Sequence, residues 1–119
     1  MIEDVRFLIE QLSNQDITNP CAVSSKERLC RINRENYYPD ENGLLVFHKQ
    51  TEWDSDCYSV GEMLELLKKY GDRVANIKFE DVDGIIQPLE NVFEVENIGD
   101  AHEFDCVIMV GEGDLLKLY

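Results

Sequence analysis

Between Phe79 and Leu116 the chain contains no lysine and no arginine. Eleven carboxylates stand in that stretch: Glu80, Asp81, Asp83, Glu90, Glu94, Glu96, Asp100, Glu103, Asp105, Glu112 and Asp114. Other shortages narrow the reading further. There is no C-x-x-C or H-E-x-x-H spacing, no phosphate-cradling glycine loop and no G-x-S-x-G elbow, so the usual signatures of zinc sites, nucleotide sites and serine hydrolases are missing. Only two histidines, His48 and His102, are available as bases or ligands. No apolar run approaches the ~20 residues of a membrane span, and the first residues lack a basic segment followed by an apolar one. The expectation is therefore a cytoplasmic protein, with its four cysteines reduced.

What is present is acid interleaved with apolar residues. The 25 acids against 11 bases give a net charge of −14, and 44% of residues are hydrophobic. Interleaving of this kind suits a folded acidic surface better than a disordered acidic tail. At 119 residues the chain reads as one acidic domain, 1–119, burying roughly two-thirds of its unfolded surface. Such a charge repels phosphate, so direct contact with nucleic acid or anionic membrane is disfavoured and a basic partner is favoured.

Periodicity outlines the elements. Ile2, Val5, Leu8, Ile9 and Leu12 form an apolar stripe at helical spacing, ending near Ser13-Asn14. Ser24 or Ser25 suits the cap of a short helix. The preferred alternative over residues 24–47 is a hairpin that enters at about Cys30, turns at Asn42-Gly43 and leaves through Phe47. Ser59-Val60-Gly61-Glu62 has capping-box spacing. Val60, Met63, Leu64, Leu67 and Tyr70 continue it as a helix over about 60–70, with Gly71 as the stop. Three strands then follow. The first holds Val74, Ile77 and Phe79, and an Asp83-Gly84 turn leads to the second. Pro88 and Glu90-Asn91 imply a bulge, an edge or a break in that second strand, and the third is the apolar run Cys106–Val110. The order predicts an α+β fold, with two helices packed on one face of a mainly antiparallel sheet of about five strands. The unit from Ser59 to Gly111 resembles a pattern common in small proteins of phage and mobile elements. It covers under half the chain and carries no diagnostic residue.

Chemistry-bearing groups are sparse. Asp81-Val82-Asp83-Gly84 with Glu90 matches part of a calcium-loop register, but Phe79 stands where the opening acid belongs, so a hairpin turn is the better reading. Cys30, His48 and Cys57 are a scattered trio for zinc, and Cys57 lies among carboxylates that raise a thiol's pKa. No catalytic residue, metal or cofactor is assigned, and the reading is non-enzymatic. Lys26, Arg28, Arg31 and Arg34 form the one basic cluster, expected to pair with the protein's own acids or a partner's.

The function expected from these features is an inhibitor that occupies the basic surface of a nucleic-acid-handling protein, as a nucleic-acid mimic. Phage-type anti-nuclease or anti-defence inhibitors and immunity proteins against nuclease toxins both fit. The partner-facing residues expected are Glu80, Asp81, Asp83, Glu94, Glu96, Glu103 and Asp105 on the sheet, with Trp53 as an anchor among Glu52, Asp54 and Asp56. The alternatives are a structural or assembly subunit that self-associates as a homo-oligomer, and a small-ligand or metal-binding domain.

Overall fold

The computed structural model of the chain describes residues 2–25, 28–50, 57–96 and 104–110, with side chains from Val5 onward. Helix α1 spans Ile2–Ser13. Strands β1 (Cys21–Ser25), β2 (Arg28–Arg31) and β3 (Leu44–Phe47) follow. Helix α2 spans Val60–Tyr70 and runs into a 3-10 turn at Gly71–Arg73. Strands β4 (Asn76–Glu80), β5 (Ile86–Glu96) and β6 (Phe104–Val110) complete the α+β order.

The local chemistry explains α2 most directly. Ser59 is extended, its side chain accepts from the Glu62 amide, and the Glu62 carboxylate accepts from the Ser59 amide. Both ends of the capping box therefore satisfy amides that the first turn leaves open. Lys68 and Lys69 occupy the last turn, where the helix dipole favours cations. Gly71 ends the helix at φ +49°, its amide returning to the Leu67 carbonyl.

The six strands lie in the order β2-β1-β6-β5-β4-β3. Three neighbouring pairs are antiparallel, but β1 with β6 and β3 with β4 are parallel, so the sheet is mixed rather than mainly antiparallel. The parallel pair β3–β4 has a clear cause. Helix α2 is the crossover between them, and a strand followed by a crossover helix returns in the same direction. The expected Cys30-to-Phe47 hairpin is replaced by this β3-α2-β4 unit. The turn at Asn42-Gly43 does form, with the Asp40 carboxylate accepting from the Asn42 and Leu44 amides at 2.8 and 2.9 Å. It delivers the chain to β4 instead of back to β2, because the Gly43 carbonyl accepts from the Ala75 and Asn76 amides. Gly43 has φ +81°, and a Cβ there would stand 2.9 Å from both the Arg73 carbonyl and the Ala75 side chain. Only glycine lets these two segments approach so closely.

Strand β1 is the element that periodicity missed. Cys21-Ala22-Val23-Ser24-Ser25 is buried at every position, so it shows no alternation, and its serines are strand residues rather than a helix cap. Strand β5 is long and shared. Its first residues pair with β4 (Lys78 opposite Pro88), and its later ones with β6 (Leu89 to Glu96), with a bulge between Leu89 and Asn91. The sheet curls until its two edges meet. Ile32 and Lys49, just beyond β2 and β3, form an antiparallel bridge through Asn33 N–H to His48 carbonyl and Gln50 N–H to Arg31 carbonyl, each 2.8 Å.

Alternate residues of every strand join one core with both helices. Val23, Cys30, Leu45, Phe47, Ile77, Phe79, Leu89, Val92, Cys106 and Ile108 meet Val5, Leu8 and Leu12 of α1 and Val60, Met63 and Leu67 of α2. All four cysteines are buried and unbridged. Burial raises the Cys30 thiol to about 11, and a hydrogen bond with Cys106, reinforced by burial, raises the Cys21 thiol well above its ordinary value. Neither is an activated nucleophile. No described helix is long and apolar enough to cross a membrane.

Candidate interaction surface

The acid-rich segment separates into three groups once the sheet forms. Trp53, Glu52, Asp54, Asp56 and Glu103 lie outside the described residues. Asp100, Glu112 and Asp114 lie outside them too; of the segment's described acids Asp81 and Asp105 are interior, Glu80 is half-buried, and Asp83, Glu90, Glu94 and Glu96 are exposed.

Asp105 is 5% exposed and meets Arg31, 2% exposed, through a two-point ion pair: Nε to Oδ2 at 3.3 Å and Nη2 to Oδ1 at 3.2 Å. Arg31 comes from β2 and Asp105 from β6, with β1 between them. Asp105 is thus unavailable to a partner, contrary to expectation. Its position beside the apolar run Cys106–Val110 was the available signal, since a carboxylate entering a central strand needs a cation beside it.

Asp81 is 1% exposed. Its carboxylate accepts from the Asp83 and Ile85 amides, each 2.9 Å, and from the Gln87 side-chain amide, which also donates to Ser25 Oγ. It ties the β4–β5 turn and is not a partner-facing acid either. Asp81→Ala strands these donors and should lower stability by about 2–4 kcal/mol. Asp81→Asn, which keeps one acceptor oxygen for the two backbone amides, should cost less than half as much. Urea unfolding of the two variants measures the difference. Equal losses would mean that the turn does not depend on those two bonds. Among the described residues no group of three or more His, Cys, Asp or Glu side chains is arranged to hold a metal ion.

Of the basic cluster, Lys26 lies outside the described residues and the three arginines meet the protein's own acids. Arg28 pairs with Asp83 at 2.7 Å, Arg31 with Asp105, and Arg34 with Glu62 at 3.3 Å. Lys49 donates its ammonium to the Val82 carbonyl at 2.8 Å, and Glu80 accepts from the Lys49 amide at 3.0 Å and lies 3.7 Å from His48 Nδ1. Of the three arginines only Arg31 is buried; Arg28 and Arg34 make their pairs at the surface. Glu90, Glu94 and Glu96 of β5 remain exposed, with no ion pair among the described residues. Glu94 and Glu96 share a face of the strand and stand about 7 Å apart along it.

A second feature was not found from the sequence. A cleft of about 560 Å³ opens between residues 34–38 and the outer side of α2. It gathers Tyr37, Tyr38, Tyr58 and Tyr70, four of the chain's five tyrosines. Tyr37 and Tyr58 form its floor, meeting edge to face at 5.2 Å, and the Tyr37 hydroxyl donates to the Asn33 carbonyl at 2.6 Å. Burial pushes the Tyr58 phenol up to about 12, with Glu62 and Glu65 acting in the same direction; burial likewise raises Tyr37. Spread over 34 residues, these tyrosines share no helical or strand period, so only the fold brings them together. No protein-family model, curated protein or solved structure matches the chain.

Proposed function

We propose that this protein is a non-enzymatic acidic binding module that engages the basic surface of a protein partner. Its most specific form is an inhibitor that fills the phosphate-binding surface of a nucleic-acid-handling protein, as an anti-nuclease or a toxin-immunity protein does. One observation carries the reading. Arg28, Arg31 and Arg34, the described cations of the basic cluster, pair with the protein's own acids, while Glu90, Glu94 and Glu96 stand exposed on one strand with no ion pair among the described residues, in a chain of net charge −14. Surplus negative charge on a rigid strand costs no side-chain recruitment when a cationic surface arrives. It steers the encounter and raises the association rate. Compared with the surface expected from sequence, the described part of the sheet offers fewer acids, since Asp81 and Asp105 are interior.

The test is inhibition of a panel of purified basic nucleases by the protein and by a triple Glu90→Gln, Glu94→Gln, Glu96→Gln variant. At least one enzyme should be inhibited at about 0.05 M salt, with inhibition falling tenfold or more at about 0.5 M salt, where exposed charges are screened. The triple variant should fold normally and lose a similar factor. Inhibition indifferent to both salt and the triple substitution would sink the reading. So would complete lack of inhibition together with self-association that survives high salt, which would favour an assembly subunit.

A further inference from the structure

The tyrosine cleft carries a charge asymmetry that its geometry makes specific. Five charged residues line it: Glu35, Glu62 and Glu65 against Arg34 and Lys69. Arg34 is engaged by Glu62 at 3.3 Å, and the Lys69 ammonium lies 5.5 Å from the centroid of the Tyr70 ring. Glu35 and Glu65 are exposed and have no ion pair among the described residues. The local field is negative, as the upward push of Glu62 and Glu65 on the Tyr58 phenol also indicates. Tyrosine faces add to it, because the ring quadrupole presents negative charge to a cation. The protein already uses that attraction at the rim, where Arg73 as well as Lys69 packs over Tyr70, at 5.6 Å.

Tyr38 completes the argument. It is 70% exposed, whereas the neighbouring Tyr37 is buried in the core. An aromatic ring held in solvent at the mouth of a concave site is the type of residue that anchors protein contacts. The cleft volume falls within the ~300–1,000 Å³ of ligand sites, larger than a single ion needs.

We propose that the cleft between residues 34–38 and α2 is the docking site for an arginine- or lysine-bearing peptide segment of the partner, with Tyr38 and Tyr58 packing the cationic side chain and Glu35 and Glu65 taking its charge. The inference rests on the reading of a basic partner but uses a different surface from β5. An anionic segment is disfavoured because it would meet two uncompensated carboxylates on entry.

The experiment is a heteronuclear NMR titration of the full chain with a capped tetra-arginine peptide, with a capped tetra-glutamate peptide as control. Saturable shifts at Asn36, Tyr38, Glu65 and Tyr70 are expected with tetra-arginine only. Tyr38→Ala and Glu65→Gln both alter exposed side chains and should leave the fold intact. Each should weaken binding roughly 3- to 10-fold, while Lys69→Gln should strengthen it. Shifts confined to Glu90, Glu94 and Glu96 would overturn the cleft and leave the β5 reading standing. Binding at neither surface would overturn both. Preferential binding of tetra-glutamate, or tetra-arginine affinity unchanged in Tyr38→Ala and Glu65→Gln, would also refute the cleft assignment.

Discussion

Replacing Asp105 with alanine should lower the unfolding free energy by about 3–5 kcal/mol, the loss expected when one partner of a buried ion pair is removed. Arg31 cannot escape to solvent by rotating its side chain a little. It is 2% exposed and lies on a strand paired with β1 through Ala22 opposite Arg31. Against a total stability of about 6–18 kcal/mol for a chain of this length, the variant should be marginal or unfolded. Urea denaturation followed by circular dichroism measures the loss. A double variant, Arg31→Met with Asp105→Leu, removes both charges together and should regain most of it, because the pair's own desolvation cost disappears as well. If Asp105→Ala loses less than about 1 kcal/mol, the pair is solvated in solution and Asp105 becomes eligible again as a surface carboxylate.

This ion pair also shows why part of the candidate site was illegible in the sequence. Arg31 and Asp105 are 74 residues apart, so nothing local marks them as partners. The apolar run after Asp105 hints at its burial, but Arg31 has no comparable neighbourhood. Asp81 is similar: a turn signal at Asp83-Gly84 was readable, but the carboxylate that organises it faces inward, bound to amides that exist only once the turn has formed. Features set by contacts within a few residues were readable. The capping box at Ser59–Glu62, the Gly71 stop, the end of α1 at Ser13 and the bulge after Leu89 follow from short-range chemistry. Strand direction is different. Whether the chain after Gly43 returns to β2 or runs beside β4 depends on the Gly43 carbonyl meeting Ala75 and Asn76, a contact across more than 30 residues. The crossover helix lying between two strands was the hint that would have pointed to a parallel pair.

The cleft and the core are mechanically one object, and Phe47 tests that. Its ring is fully buried, 4.8 Å from Tyr37, 5.9 Å from Tyr58 and 5.4 Å from Phe79, its register partner on β4. Phe47→Ala should cost about 3–5 kcal/mol, from lost apolar burial and the cavity left behind. Phe47→Leu keeps most of the volume and should cost about 1 kcal/mol. The consequence for binding differs in kind. Tyr37 and Tyr58 line the cleft and pack against Phe47, which does not line it, so losing that ring frees the floor to shift into the space left behind. Phe47→Leu, which remains folded, should therefore weaken tetra-arginine binding more than its small stability loss would suggest. Tyr38→Ala should weaken binding with no stability loss. Measuring both quantities for both variants separates a preformed aromatic floor from a surface that merely collects charge. If Phe47→Leu binds tetra-arginine as the parent does, the floor contributes nothing, and only the rim residues Tyr38, Glu35 and Glu65 recognise the cation.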